Sequence, residues 1–244
     1  MIIMNKKDVL RFLGRIGVDT RFISLYEYEV YINNLRFSKF SKKKEEIFMN
    51  KFPEMNVFRS TLFQKTAAKA SKSLSHSINV KDSILIFNHT KRDILLNILL
   101  EPYLRKYGVK FVDSKFKSYQ NLVESEKTVE FLKDNDINCV VSSTSMDEEV
   151  DSILSTILSG NGLKSYPQYL NFENSFKIKI LYPFINNTDS ETIETLCEVL
   201  EISGEDENVH KSNELTKEFM NFLDDLVPHS KENILKSTNF LNNH

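Results

Sequence analysis

The chain has 244 residues, of which 41% are hydrophobic and 27% are charged, and its formal net charge at pH 7 is −2. A chain of this length can bury a substantial core without disulfides or structural metals, and its charge gives it no overall attraction to nucleic acid. Its two cysteines, Cys139 and Cys197, lie far apart and form no CxxC pair, which favours a reducing compartment. No run of about 18 apolar residues is present, and charges interrupt the apolar N-terminal segment, unlike a signal peptide. We therefore expect a cytoplasmic protein with no membrane partner.

Residues 1–54 predict a helical N-terminal extension. Apolar residues recur at helical spacing over 9–16, over 23–35 and, more weakly, over 40–52, and Pro53 ends the third segment. A long helix predicted over 55–78 leads into an α/β domain spanning 55–203, and C-terminal helices over 204–244 complete the chain.

Lysine and arginine are concentrated in residues 36–72, whereas residues 147–151 and 189–207 are acidic. A basic segment of this kind can neutralise the phosphates of a polyanion, and the alternative is an ordinary solvated helix face. The candidate nucleic-acid contacts are Lys42, Lys43, Lys44, Arg59, Lys65 and Lys69.

The central unit is a strand over 83–87, a polar turn over 88–93 and a helix that continues to 107. In open α/β sheets, ligands bind at the carboxyl ends of strands, and a helix N-terminus offers unpaired N–H groups to an anion. The unit therefore has the geometry of a phosphate-binding loop, but its turn contains no glycine.

Strands and helices continue to alternate after this unit, which predicts a mostly parallel sheet of about five strands flanked by helices. The strand over 83–87 is expected to lie between its neighbours over 110–113 and 137–141, with a further strand over 176–182. The predicted helices cover 119–135, 147–159, 190–200, 214–226 and 231–241. A loop over 160–174 carries Tyr166 and Tyr169, which could stack on RNA bases.

The order of these elements resembles the PP-loop ATP pyrophosphatases, a HUP-like α/β superfamily, and in particular their tRNA-thiolating branch. ILIFNHTKRDILL stands at the phosphate loop, SSTSMDEEVDSILSTILSGNG at the GHNxDDEA-like segment, and KIKILYPFINNTDSETIETLCEVLEI at the strand that ends in proline. The tail ELTKEFMNFLDDLVPHSKENILKS is similar to the C-terminal helices of that branch. The resemblance covers roughly residues 55–240.

The motifs of this chain are degenerate in comparison with that superfamily. Its phosphate loop reads SGGxDS, and side chains replace the glycines whose backbone approaches pyrophosphate. A frame shifted by one residue makes Asp93 the family's aspartate, and both frames stay open. The implied nucleotide-binding residues are Asn88, His89, Thr90, Lys91, Arg92, Asp93, Asp147 and Glu148. Helix capping is the alternative explanation for Asp147 and Glu148, and an ordinary exposed turn is the alternative explanation for Lys91 and Arg92.

The resemblance implies ATP or AMP with Mg²⁺ as ligands. The cysteines that the thiolation branch uses for sulfur transfer and zinc ribbons are absent, so neither zinc nor an iron–sulfur cluster is expected. The missing glycines and cysteines lead us to expect a non-catalytic partner subunit or tRNA-binding subunit for 2-thiouridine or 2-thiocytidine synthesis. Its expected partners are tRNA, a catalytic PP-loop paralogue, or both, and a homodimer or heterodimer fits this interpretation. The alternative is a small protein that binds or hydrolyses an adenine nucleotide.

Overall fold

The computed structural model describes residues 5–75, 77–125, 127–163, 166–172, 176–186, 188–205 and 214–242. The strands are β1 (Ile23–Tyr26), β2 (Glu29–Ile32), β3 (Asn56–Phe58), β4 (Ser83–Ile86), β5 (Lys110–Asp113), β6 (Cys139–Val141), β7 (Tyr169–Asn171) and β8 (Lys177–Leu181). The helices are α1 (Lys6–Arg15), α2 (Leu35–Ser38), α3 (Lys42–Lys51), α4 (Thr61–Leu74), α5 (Lys91–Tyr107), α6 (Tyr119–Glu124), α7 (Thr128–Asp134), α8 (Met146–Leu158), α9 (Ser190–Val199), α10 (Glu214–Leu226) and α11 (Ser230–Asn242).

The N-terminal region contains a small three-stranded sheet, so the predicted helix over 23–35 is wrong. The strands β1 and β2 form an antiparallel hairpin, and β3 adds in parallel beside β2. Glu27 makes the turn with a φ of 48°. Ile23, Leu25, Val30 and Ile32 pack into one apolar cluster, whereas Tyr31 packs into another, which is the two-sided alternation of a strand and not the stripe of a helix. The N-terminal region has its own apolar cluster. The domain boundaries at 54 and 203 remain predictions.

The larger sheet has five strands in the order β5-β4-β6-β8-β7. The strand β4 lies between β5 and β6 and is parallel to both, as predicted. The sheet is mixed, however, because β7 runs antiparallel to β8 at the edge and lies inside the predicted loop over 160–174. Only residues 172–176 connect this pair, and a parallel pair would need a crossover of a dozen or more residues.

Two long predicted helices are interrupted in the structure. The segment over 119–135 forms the separate helices α6 and α7, and the segment over 55–78 opens with β3 before α4 begins. All four residues of β4 are buried, and α5 packs Leu95, Ile98 and Leu99 into the largest apolar cluster. In the part of the chain that the structure describes, no helix combines the length and apolar character needed to cross a bilayer.

Candidate nucleotide site at the carboxyl edge of the sheet

The carboxyl ends of β4, β6 and β8 lie at one edge of the sheet, and the predicted phosphate loop occupies the first of them. Thr90 is the N-cap of α5: its hydroxyl accepts a hydrogen bond from the Asp93 N–H at 3.1 Å. The Asp93 carboxylate in turn accepts from the Thr90 N–H at 3.0 Å, which completes a capping box. Asp93 is 7% exposed, and burial raises its pKa. The side chains of Thr90 and Asp93 thus cap the N-terminus of α5.

The start of α5 is also covered by the segment that follows α9. The backbone N–H of Lys91 donates to the carbonyl oxygen of Glu205 at 3.1 Å, and the Glu205 N–H donates to the His89 carbonyl oxygen at 2.9 Å. A Cβ on Gly204 would lie 2.8 Å from the Lys91 nitrogen, so the two backbones are in direct contact. The Lys91 N–H, which a phosphate would use at an open helix N-terminus, already has a protein partner.

Arg92 is directed across the edge of the sheet towards two other helices. Its side chain is 6% exposed and lies 2.6 Å from the carboxylate of Glu148 and 3.3 Å from that of Glu194. Glu148 also accepts a hydrogen bond from the Ser145 N–H at 2.9 Å, which caps α8. Arg92 therefore ties the first turn of α5 to α8 and α9.

Asp147 joins the starts of α8 and α9. Its carboxylate accepts hydrogen bonds from the Ser145 hydroxyl at 2.6 Å and from the Ser190 N–H at 2.8 Å, and the Ser190 hydroxyl is a third donor. Burial on its own raises the pKa of Asp147, but these hydrogen bonds outweigh it, and the pKa lies below its usual value. Helix capping thus accounts for the contacts of Asp147 and for the bond between Glu148 and the Ser145 N–H, while Glu148 also pairs with Arg92.

The remaining loop residues are held at the end of β4. The side-chain amide of Asn88 donates to the Asp113 carboxylate at 2.5 Å, and its oxygen accepts from Asn97. Asn97 also donates to the carbonyl oxygen of Phe87 at 3.0 Å. His89 is half-buried beside them.

A cleft of about 260 Å³ opens next to Asp147 and Glu148, between α8, α10 and α11. Four carboxylates and two lysines line it, from Asp147, Glu148, Asp151, Asp224, Lys217 and Lys231. Its lining therefore carries an excess of negative charge, which disfavours the approach of a phosphate.

The structure divides the six predicted nucleic-acid contacts into two groups. The Lys44 ammonium donates to the carbonyl oxygens of Gly17 and Lys39 at 2.6 and 2.9 Å. Arg59 is paired with Glu45 and donates to the Phe40 carbonyl oxygen at 2.8 Å. Both side chains hold the N-terminal region together. The exposed members are Lys42, Lys43, Lys65 and Lys69.

The two tyrosines of the predicted loop also differ. Tyr166 packs edge-on against Tyr182, with ring centroids 4.8 Å apart, and its hydroxyl accepts a hydrogen bond from Asn239 at 3.3 Å. Tyr169 is 47% exposed on the edge strand β7.

Sequence reasoning did not identify the contacts made by Glu194, Ser190 and Glu205. Ser190 and Glu194 lie in the segment TDSETIE. The sequence predicted that a helix begins there, but it did not predict which residues its side chains contact. For Glu205 the only signal is Gly204, because a glycine permits a close approach between two backbones.

Both cysteines are buried in the same apolar cluster, Cys139 on β6 and Cys197 on α9. Burial raises the pKa of the Cys139 thiol to about 12. Within the described parts of the chain, no three His, Cys, Asp or Glu side chains come together as a metal site.

Comparison with known proteins identifies the fold. No protein-family model matches the chain, and no curated protein matches it. Among solved structures, the U34-tRNA thiolase NcsA from Methanococcus maripaludis, with its [4Fe-4S] cluster, matches 80% of this chain and 83% of its own. The TM-score is 0.52 and the sequence identity is 15%. The predicted likeness of fold to a tRNA-thiolating enzyme is confirmed, and at this identity the likeness establishes the fold alone.

The same comparison corrects one prediction. No iron–sulfur cluster was expected for this chain, because it lacks the cysteines of the thiolation branch, but the thiolase with the same fold carries a [4Fe-4S] cluster. Cysteine thiolates hold such clusters. The two cysteines in this sequence are both buried in the core, so the residues present do not fit that ligand set.

Proposed function

We propose that this protein is a non-catalytic, tRNA-binding subunit of a cytoplasmic tRNA-thiolation system and works with a catalytic PP-loop paralogue. The observation that carries the proposal is the closed start of α5, where Glu205 and the Thr90–Asp93 capping box engage the backbone N–H groups of the first turn. A protein with the thiolase fold and a closed phosphate loop fits a subunit that contributes binding surfaces.

The chemistry of ATP activation explains why this observation matters. Release of pyrophosphate requires donors and cations that are already directed at the leaving group. Here the Lys91 N–H is bonded to Glu205, and the Arg92 guanidinium is paired with Glu148 and Glu194. Freeing these groups would break contacts that join α5 to three other segments.

The RNA part of the proposal is supported by the exposed lysines of the N-terminal half and by the fold. Lys42 and Lys43 are exposed at the start of α3, and Lys65 is exposed on α4. A solved structure with this fold is that of a U34-tRNA thiolase. Lysines in such positions bind phosphates with an affinity that falls steeply with salt.

The partner part is supported by an exposed apolar stripe on α10. Phe219, Phe222 and Leu226 are 37%, 56% and 62% exposed, and they lie on one side of the helix at spacings of three and four residues. An apolar stripe of this kind suits a partner protein, and binding through it would tolerate salt.

The test combines binding and turnover on the purified full chain. We expect tRNA binding that weakens as salt rises, and pyrophosphate release from ATP and Mg²⁺ at background with or without tRNA. Pull-down from lysate, repeated after nuclease treatment and at raised salt, should retain a thiolation-type protein. Recovery of neither tRNA nor such a protein would contradict the proposal.

A thermal shift with ATP, AMP and Mg²⁺ tests the alternative of a small nucleotide-binding protein. A ligand at about 100 times its dissociation constant adds roughly 2.7 kcal/mol to the free energy of unfolding. A shift of that size without RNA binding would favour the alternative.

A further inference from the structure

A pocket of about 370 Å³ lies between the N-terminal sheet region and the helices α4 and α5, near the C-terminal end of α5. We propose that it binds one unstacked nucleobase of a single-stranded RNA segment. This inference rests on the proposed function, because it names a place where the tRNA is read. Small-ligand pockets span roughly 300–1,000 Å³, so the volume suits one base and part of its sugar.

Aromatic rings form two walls of the pocket. Tyr103 and Tyr107 are nearly parallel, with an interplanar angle of 19° and centroids 6.0 Å apart. Phe22 and Phe37 form a second pair at 5.2 Å and 32°. Phe37 is 52% exposed, so part of its ring is accessible to a ligand. Bases of single-stranded RNA bind proteins by stacking on rings of this kind.

An amide supplies polar recognition. The side-chain oxygen of Asn34 accepts a hydrogen bond from the Phe37 N–H at 3.0 Å, which caps α2. Its NH₂ group has no hydrogen-bond partner in the described residues and can donate to a ring nitrogen or carbonyl oxygen of a base. Asn33, in contrast, is bonded to Ser24 through both its oxygen and its nitrogen.

The charge around the pocket suits a phosphate backbone. No carboxylate is found among the described residues that line it. Lys106 is exposed, with its ammonium 4.7 Å from the centre of the Tyr107 ring, and the Arg36 guanidinium lies 5.8 Å from the centre of the Phe37 ring. Arg21 contributes less positive charge, because its guanidinium is paired with the Asp19 carboxylate at 2.7 Å.

The arrangement of these cations favours an RNA segment over a free nucleotide. Lys106 accompanies one aromatic wall and Arg36 the other. Cations beside both walls match phosphates on the two sides of a stacked base, whereas a mononucleotide carries phosphate on one side only. Lys65 and Lys72 are exposed along α4 and extend the positive charge beyond the pocket.

The test uses the full-length protein and three probes: a single-stranded RNA heptamer with a central 2-aminopurine, whole tRNA, and AMP. Phe37→Ala removes an exposed ring, and Ala68→Phe fills the pocket from an exposed position on α4. Lys106→Glu is a third test variant, which reverses a charge beside the pocket. Two exposed positions on α11 supply the controls: Ser237→Phe is matched to Ala68→Phe, and Lys236→Glu is matched to Lys106→Glu. Thermal unfolding of every variant verifies that it is folded.

We expect 2-aminopurine fluorescence to be quenched on binding and heptamer affinity to fall about fivefold or more in Phe37→Ala and Ala68→Phe. Lys106→Glu should weaken both RNAs, and the α11 controls should match the wild type. Equal heptamer affinity across wild type and pocket variants would overturn the inference, as would saturable AMP binding in the pocket without heptamer binding. If tRNA binds but is insensitive to these variants, the pocket fails and the proposed function stands. If the heptamer binds in the pocket and tRNA does not bind, the proposed function fails.

Discussion

A Cβ on Gly204 would lie 2.8 Å from the amide nitrogen of Lys91 and 3.1 Å from the carbonyl carbon of Thr90. The backbone of Gly204 does not have a positive φ, so the requirement for glycine comes from this contact and not from its conformation. The backbone at residues 204 and 205 can therefore cover the start of α5 only if residue 204 has no side chain.

The first prediction follows from that contact. Gly204→Ala should lower the free energy of unfolding by about 1–3 kcal/mol, because the new methyl group must displace backbone atoms. Urea denaturation measures the change. Gly14→Ala is the control: nothing lies within 4 Å of the position that its methyl group would take in α1, and alanine there should stabilise by about 0.5–1 kcal/mol. A Gly204→Ala variant as stable as the wild type would show that the segment is not held against α5.

The second prediction concerns Arg92. Arg92→Ala leaves the Glu148 carboxylate, which is 20% exposed, without its cation, so we expect a loss of about 3 kcal/mol. Glu194→Ala should cost less than about 1 kcal/mol, because that side chain is 54% exposed. Chemical denaturation of both variants measures the difference. Equal costs would mean that burial of the Arg92–Glu148 pair contributes nothing.

The sequence predicted the larger sheet better than the N-terminal region. The run over 83–87 and the helix after it are long and apolar, so the pairing of β4 with β5 and β6 followed from alternation alone. The hairpin over 23–32 was missed because its turn at Glu27 lacks the usual glycine or asparagine. The sequence alone showed that the phosphate loop lacks glycines. The contact of Gly204 with Lys91 could not be predicted from local patterns, because it joins segments far apart in sequence.

The third prediction is a pH dependence from Glu149. This residue is 8% exposed, and burial raises its pKa to about 7, with a partial offset from a Tyr166 backbone N–H. Between about pH 4.5 and 7 the folded state keeps a proton that the unfolded state releases, so this residue lowers the free energy of unfolding as pH rises. Glu149→Gln should match the wild type near pH 4 and exceed it by on the order of 3 kcal/mol at pH 8.

The comparison between wild type and variant isolates Glu149. Burial raises the pKa of Asp93, which adds a slope of the same sign, while the lowered pKa of Asp147 gives the opposite slope. Both residues are present in both proteins and cancel in the difference. Parallel stability profiles from pH 4 to 8 would contradict the prediction.

The fourth prediction concerns catalysis. Pyrophosphate release from ATP and Mg²⁺ should remain near background in the wild type and in Lys91→Ala, because the Lys91 N–H is bonded to Glu205 and side chains stand where the PP-loop has glycines. A coupled phosphate assay after pyrophosphatase treatment measures it. Robust turnover that Lys91→Ala abolishes would show that the loop works without glycines.

The last prediction separates the basic residues by their contacts. Lys42 and Lys43 are exposed, so Lys42→Ala and Lys43→Ala should each weaken tRNA binding and reduce the slope of log affinity against log salt by about 1, with little change in stability. Lys44→Ala should lower the free energy of unfolding, because its ammonium bonds the carbonyl oxygens of Gly17 and Lys39. Salt-dependent tRNA titrations and urea denaturation of the three variants measure both quantities. A Lys44 variant that changes only the salt slope, or Lys42 and Lys43 variants that change only stability, would reverse this assignment.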